Sequence, residues 1–299
     1  MGSRDRRQVL LTEDHVAFGH RAGELLRADP VGTNVVATVL AAVVAGRQQP
    51  AGSLWALVCD GERPVGAALL TAGWAPFLSP MPDDDAAALA DALHRNGHDV
   101  PTVRGDAAAT QAFAARWCAL TGCRAWKSAA QGVHLLDRLV PPGVPGSARA
   151  AAQDDTEIVG RWFAAFSREA HEDGTPWDSA AARQHVEMFV ARVATGRVML
   201  WTDGDEPVSL AGWQLPDAPA GTVVGRIGPV YTPPDRRRRG YAAGVTAAAT
   251  QAALDAGASD VMLYTDLANP TSNGVYARLG YRRVRDGATW SFTPPEGRS

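Results

Sequence analysis

The sequence predicts an α/β protein made of two successive halves that share one order of helices and strands. Its 299 residues fit two ordinary domains, and 46% apolar with 20% charged residues is typical of globular proteins. The segment Pro141-Pro-Gly-Val-Pro-Gly146 is a stiff connector between the two patterns. We therefore place the domains at residues 1–140 and 147–299.

In the first half, a helix is predicted from Thr12, as the N-cap, to about Ala28, because Pro30-Val-Gly32 breaks the pattern. Asp60-Gly61 between two apolar runs predicts a β-hairpin. Periodicity and turn residues predict the rest: a helix from Thr33 or Asn34 to about Ala45, strands Ser53–Cys59, Pro64–Thr71, Pro76–Leu78, Val100–Val103 and Arg124–Leu139, and helices Asp83–His94 and Asp106–Leu120.

The second half repeats this order. Asp203-Gly204-Asp205 is the predicted hairpin turn, and Gly257 is a plausible end for an Ala-rich helix that runs from Gly240 to about Ala256. The remaining predictions are helices Asp155–Ala170, Ser179–Ala194 and Ser272–Leu279, and strands Arg197–Thr202, Val208–Leu215, Thr222–Val230, Val261–Thr265 and Arg282–Phe292.

Composition argues against several classes of protein. A net charge of −3 disfavours a general nucleic-acid binder, and the apolar stretch Val35–Ala45 is too short to span a bilayer. Three cysteines without a C-x-x-C pair disfavour a disulfide framework or a zinc site, so we expect them to be small buried hydrophobes. Neither a signal peptide nor a metal-binding motif stands out. These observations predict a cytoplasmic protein that binds no metal, nucleic acid or membrane.

The loop that holds Arg236–Arg239 and Gly240 is the strongest functional signal. It lies between a predicted strand that ends at Tyr231 and the helix that starts after Gly240. The first N–H groups of a helix have no internal partner, and the helix dipole adds positive charge there. Gly240 and Ala242 leave room for an anion to reach these amides. We therefore predict an anion site, most simply for a pyrophosphate.

Two motifs in this half resemble a known family. Arg237-x-x-Gly240-x-Ala242 is similar to the acetyl-CoA loop of the GCN5-related N-acetyltransferases (GNAT). Downstream, the stretch from Asn269 through Tyr276 to Gly280-Tyr281 resembles that family's later motif. The resemblance covers about Val223–Tyr281. It implies tandem GNAT-like domains, each with a mixed, mostly antiparallel sheet flanked by helices.

The first half departs from this pattern. Where the loop would be, it has Asp83-Asp84-Asp85 at a helix start, and these carboxylates would repel a pyrophosphate. We therefore expect this half to have lost cofactor binding.

The resemblance also implies roles for individual residues. Acetyl-CoA would be the cosubstrate, Val230 would contact its carbonyl through the backbone, and Tyr276 would protonate the departing thiolate, although Tyr276 could instead simply pack on Tyr281. The residues expected to bind the cofactor are Val230, Tyr231, Thr232, Arg237, Arg238, Arg239, Gly240, Tyr241, Ala242, Ala243, Asn269 and Asn273. The general base stays open among Asp266, Glu187, His185 and water.

The function implied is direct transfer of an acetyl group to an amine of a small molecule or a peptide. The alternative is a non-catalytic module of the same fold that senses acyl-CoA or binds a partner protein. A solvated basic face or a nucleic-acid patch is the other interpretation of Arg236–Arg239, but the run is short and the net charge negative. The sequence fits a monomer or a homodimer.

Overall fold

Two compact units make up the chain in the computed structural model, which describes residues 7–47, 53–71, 74–170, 180–216 and 223–293. The first unit comprises the described residues up to 132, Pro216 and those from 285 onward, and the second comprises the described residues within 133–215 and 223–284. The segment 141–146 lies within the second unit. Domain limits at 140 and 147 stay a prediction. None of the helices in the described ranges is both long and apolar enough to cross a membrane.

The first unit has a mixed sheet with helices on both faces. Strands β1 to β4 pair antiparallel in order, β4 pairs parallel with β5, and β5 pairs antiparallel with residues 287–291. The elements are β1 (Arg7–Thr12), α1 (His15–Ala28), α2 (Asn34–Val44), β2 (Leu54–Asp60), β3 (Arg63–Leu70), β4 (Phe77–Leu78), α3 (Asp83–Arg95), β5 (Thr102–Asp106), α4 (Ala107–Thr121) and β6 (Arg124–Leu136), whose residues from 133 on belong to the second unit.

The second unit repeats this pairing. Strands β7 to β10 pair antiparallel in order, and β10 pairs parallel with β11. The elements are β7 (Ser147–Ala150), α5 (Thr156–Ala170), α6 (Ala180–Val190), β8 (Val198–Asp203), β9 (Glu206–Gln214), β10 (Val224–Tyr231), α7 (Tyr241–Asp255), β11 (Asp260–Asp266), α8 (Pro270–Arg278) and β12 (Tyr281–Thr293), whose residues from 285 on belong to the first unit. The prediction of a mixed, mostly antiparallel sheet flanked by helices is confirmed.

The sheet of each unit is buried on both faces. Successive residues of a strand point to opposite sides, so both sides carry apolar side chains. In the second unit, Leu210 packs with Phe163 and Phe189 below α5 and α6. Ala211 and Trp213, whose side chains leave β9 on the other side, pack instead with residues of α7. The helices α5–α6 and α7 therefore cover opposite faces of this sheet.

Several predicted boundaries differ from the structure. Thr12 was expected to cap the first helix, but strand β1 ends there and Asp14 caps α1, accepting from the amides of Val16 and Ala17 at 2.9 Å each. Strands β1 and β7 had not been predicted at all. The predicted starts at Ser179 and Thr222 lie outside the described residues.

Candidate functional site

Strands β10 and β11 form a fork. Their parallel pairing runs from Val224 and Asp260 to Ile227 and Leu263, although both strands continue beyond these residues. On its other side β10 pairs with β9 again at Val230, after an irregularity that begins at Ile227. The carboxyl end of β10 therefore stays with β9 while its recorded pairing with β11 stops. At the fork, a narrow ligand could reach the strand backbone at the carboxyl ends of β10 and β11.

The helix that follows the fork begins without a side-chain cap. Gly240 is its N-cap at φ +85°, and the first helical bond runs from the Gly244 amide to the Gly240 carbonyl at 3.1 Å. The amides of Tyr241, Ala242 and Ala243 therefore precede the first internal bond. Gly240 itself is exposed. Unpartnered amides at a helix start fit a phosphate group.

Two of the four arginines brace the loop. Arg236 donates to Glu206 at 2.6 Å. Arg237 donates to the Thr232 carbonyl at 2.9 Å and to the carboxylate of Glu169 on α5 at 2.5 Å. Both guanidinium groups are thus tied to the protein and hold the loop against the end of β10 and against α5.

Arg238 and Arg239 are the other pair, and they differ from the first. Both are exposed, and the described part of the chain records no ion pair for either of them. Arg238 has φ +62°, an uncommon conformation for a residue with a side chain. Both arginines precede α7, whose first residue is Tyr241. Two guanidinium groups are therefore available to an anion beside the helix start.

The end of β10 is fixed by hydrogen bonds to neighbouring elements. Ser209 donates to the Tyr231 carbonyl at 2.9 Å and shares a 2.8 Å hydrogen bond with the Thr232 hydroxyl. The Tyr231 hydroxyl donates to Glu169 at 3.1 Å, and burial, followed by this carboxylate, raises the pKa of Tyr231. The side chains of Tyr231 and Thr232 are buried, and Val230 is half-buried. A ligand in the fork would therefore meet backbone at these positions.

The connector segment passes directly over the helix start. A Cβ added to Gly240 would lie 2.8 Å from the Val144 side chain, and one added to Gly244 would lie 2.9 Å from the Trp201 ring. Trp201 also donates from Nε1 to the Pro145 carbonyl at 3.0 Å. Glycine at both helix positions thus lets the connector and the indole approach the backbone.

Both predicted asparagines stabilise the turn between β11 and α8. Asn269 caps α8, its Oδ1 accepting from the Ser272 amide at 3.1 Å. Asn273 donates to the Asp266 carbonyl at 3.1 Å and accepts from the Thr265 hydroxyl at 3.0 Å. Contact between either amide and a cofactor stays a prediction.

Tyr276 lies on α8 with its ring edge against Tyr281, at 6.3 Å between centroids and 72° between planes. The described residues offer its hydroxyl no hydrogen-bond partner, whereas the Tyr281 hydroxyl pairs with Thr250 at 2.6 Å. Burial raises the pKa of Tyr276 to about 12. The phenol therefore stays protonated at neutral pH and keeps a donor to offer.

The candidate bases gain little support from their positions. Asp266 is exposed and its carboxylate accepts from the Ala268 amide at 2.8 Å, which closes the turn after β11. Glu187 is exposed, and His185 is half-buried. The structure thus singles out none of the three as the base.

Sequence reasoning missed Glu169, Ser209 and Val144, all of which fix the loop or the strand end. No local pattern marks them, because each acts on residues far along the chain.

The corresponding helix in the first unit carries carboxylates in its first turn. Pro82 is the N-cap of α3, and Asp83, Asp84 and Asp85 form its first turn. Arg7 binds Asp85 at 2.8 Å and Asp84 at 3.0 Å. Negative charge satisfies this helix dipole from within the chain.

Comparison with known proteins gives one family match and many similar structures. Residues 203–291 match the family model described as FR47-like protein, which covers the loop, α7 and the Asn269–Tyr276 stretch. No curated protein matches the chain in sequence.

Three of the similar solved structures cover nearly the whole chain. A tandem GNAT protein from the clavulanic acid biosynthesis pathway, solved without AcCoA, is 14% identical with a TM-score of 0.57, covering 98% of this chain and 100% of that one. A GCN5-related N-acetyltransferase from Sphaerobacter thermophilus is 16% identical with a TM-score of 0.58, covering 96% and 95%. A GNAT-family acetyltransferase from Colwellia psychrerythraea is 11% identical with a TM-score of 0.55, covering 95% and 98%. At these identities the likeness shows the fold.

Proposed function

We propose that this chain, which has the fold of a tandem GCN5-related N-acetyltransferase, binds acetyl-CoA at the start of α7 and transfers the acetyl group directly to an amine of a small molecule or a peptide. The observation that carries the proposal is the uncapped first turn of α7, with Gly240 exposed, next to the fork between β10 and β11. Bound acetyl-CoA would supply a thioester that the amine attacks.

The residues at the helix start fit a pyrophosphate. We assign the amides of Tyr241, Ala242 and Ala243 to the phosphate oxygens, with Arg238 and Arg239 adding positive charge. Arg237 holds the loop in place through Glu169 and acts as a positioning residue.

The fork fits the arm and the thioester. We assign the carbonyl contact to the backbone of Val230, where β10 turns away from β11. A donor fixed in place before reaction stabilises the charge that develops on the carbonyl oxygen. Asn269 keeps its Nδ2 for the arm of the cofactor, since only its Oδ1 caps α8.

Tyr276 would serve as a hydrogen-bond donor to the departing sulfur. Complete proton transfer from a phenol of pKa about 12 to a thiolate whose acid has a pKa of about 8.5 is uphill by about 5 kcal/mol. Donation without transfer is therefore the favoured role, and water completes the protonation.

The second candidate is a module that senses acyl-CoA without turnover. The observation in its favour is that Asp266 and Glu187 are exposed and that the Asp266 carboxylate is used in its own turn. Both candidates require cofactor binding, so turnover separates them.

Two measurements test the proposal. Calorimetry with acetyl-CoA and with CoA should show micromolar binding. The double substitution Arg238→Ala/Arg239→Ala should weaken this binding. Arg282→Ala is the control, because Arg282 forms a surface ion pair with Asp137, and it should leave binding unchanged. Thiol release with a panel of amines then measures transfer. Absence of binding overturns both candidates; binding without thiol release from any amine favours the sensor.

A further inference from the structure

A half-buried guanidinium lies close to the strand irregularity at the fork, outside the site assigned to the cofactor. Arg192 follows α6, and its Cζ lies 5.2 Å from the centroid of the Phe189 ring. That ring packs against β9 so closely that a Cβ added to Gly212 would lie 2.6 Å from it and 2.9 Å from the Gly228 carbonyl oxygen. The Phe189 ring therefore lies near both the Arg192 guanidinium and the backbone of β9 beside the irregularity in β10.

Two other arginines lie near Arg192. The Arg197 amide donates to the Arg192 carbonyl at 3.0 Å, and Arg226 reaches over from β10, where it donates to the Gln214 side chain. Burial first, and then the charges of Arg226 and Arg197, lower the pKa of Arg192 to about 9. Within the described part of the chain no carboxylate forms an ion pair with Arg192. A guanidinium in such surroundings is stabilised by an anion.

The anion that Arg192 would bind is not the cofactor pyrophosphate. Phe189 packs with Leu210 on the face of the sheet below α5 and α6, whereas α7 packs with Ala211 on the opposite face. Arg192 and the start of α7 therefore lie on opposite sides of β9 and β10. A ligand at Arg192 would therefore lie on the face of the sheet opposite to the start of α7.

We propose that Arg192 binds a carboxylate of the acceptor, so that the substrate class is amines that carry a carboxylate, such as amino acids or short peptides. This inference rests on the proposed acetyl transfer at the fork. A planar guanidinium suits a carboxylate because it can donate two parallel hydrogen bonds. The other role open to Arg192 is a structural one, in which stacking on Phe189 only stabilises the end of α6.

Matched pairs of acceptors test the proposal. At saturating acetyl-CoA, thiol release is measured with L-amino acids and dipeptides and with their C-terminal amides, which differ in the charged group only. We expect the wild type to prefer the acids by about 10- to 100-fold in kcat/KM, mainly through KM. Arg192→Gln should remove this preference, and Arg192→Lys should restore part of it. Arg161→Gln, an exposed arginine on α5, is the matched control and should keep it.

The outcomes separate this inference from the proposed function. Equal rates for acids and amides in the wild type overturn the carboxylate assignment while leaving acetyl transfer intact. An equal loss for both substrate types in Arg192→Gln, together with a lower unfolding temperature, assigns Arg192 a structural role and also overturns it. If acetyl-CoA binds but no amine is acetylated, calorimetry with the same pairs in the presence of CoA decides, and equal affinities overturn the proposal.

Discussion

Gly240→Ala, combined with Val144→Ala, separates two reasons for a glycine at the start of α7. Gly240 has φ +85°, and a Cβ added there would lie 2.8 Å from the Val144 side chain. The positive φ costs an alanine about 1–2 kcal/mol. The contact requires the half-buried Val144 to move, which adds ~1 kcal/mol. We therefore expect Gly240→Ala to lower the free energy of unfolding by about 2–3 kcal/mol.

A double-mutant cycle isolates the contact. Val144→Ala removes the side chain that the new Cβ would meet, so Gly240→Ala should cost only about 1–2 kcal/mol in that background. Gly257→Ala is the matched control, because Gly257 lies at the other end of α7 with φ +99° and nothing within 4 Å of an added Cβ. Its cost measures the φ term alone. Urea unfolding of the four proteins of the cycle and of the control gives all the terms.

Two results would refute this reasoning. Strict additivity of the two substitutions would mean that the connector does not constrain Gly240. A stability loss in Gly240→Ala no larger than that in Gly257→Ala would mean the same. Calorimetry with CoA on the same proteins adds the functional term: an affinity loss that persists in the Val144→Ala background indicates that the ligand itself approaches Gly240.

Three further predictions follow from the site and the thiols. Tyr276→Phe should lower turnover about 100-fold and leave CoA affinity unchanged. Because the pKa of Tyr276 is about 12, ionisation of this phenol should not lower wild-type activity up to about pH 10. A fall in activity below about pH 10 that is absent in Tyr276→Phe would contradict the raised pKa. Arg237→Ala and Glu169→Gln should each weaken CoA binding by no more than about fivefold, because this ion pair is partly exposed. A much larger loss of CoA affinity in Arg237→Ala alone would show that the Arg237 guanidinium contacts the ligand. Glutathione disulfide should oxidise Cys118 and Cys123, whose sulfurs are 2.8 Å apart, to a disulfide and release two molecules of glutathione. The mass of the chain should fall by two hydrogens. If all three thiols can still be titrated after this treatment, the prediction is wrong.

The sequence was sufficient for elements that carry their own local signals. Asp60-Gly61 and Asp203-Gly204 predicted hairpins, and the structure pairs the flanking strands antiparallel around both turns. Gly257, at φ +99°, follows the end of α7 as predicted. Strands β1 and β7 were missed because an edge strand of a few residues is fixed by its partner strand. The sequence Ser147-Ala-Arg-Ala150 has no β-branched or aromatic residue and is exposed throughout.

The site shows the same division between local and distant causes. The motif located the exposed loop and the uncapped turn, because these depend on backbone conformation near Gly240. It could not separate four adjacent arginines by role. Glu169 binds Arg237 from 68 positions earlier in the chain and Glu206 binds Arg236 from 30 positions earlier, so tertiary structure decides which guanidinium groups stay available.

The two units share an order of strands and helices but differ in charge at the corresponding helix starts. Both units place a helix after the first strand of a parallel pair, yet α3 fills its first turn with carboxylates tied to Arg7, whereas α7 begins with exposed backbone at Gly240. A carboxylate in the first turn and a bound phosphate compete for the same partial positive charge. Since Asp84 and Asp85 lie in the first turn of α3, a phosphate there would also meet the repulsion of their carboxylates. If α7 binds a pyrophosphate as proposed, that recognition depends on the few residues at the helix start, while the shared order of strands and helices only holds the start in place.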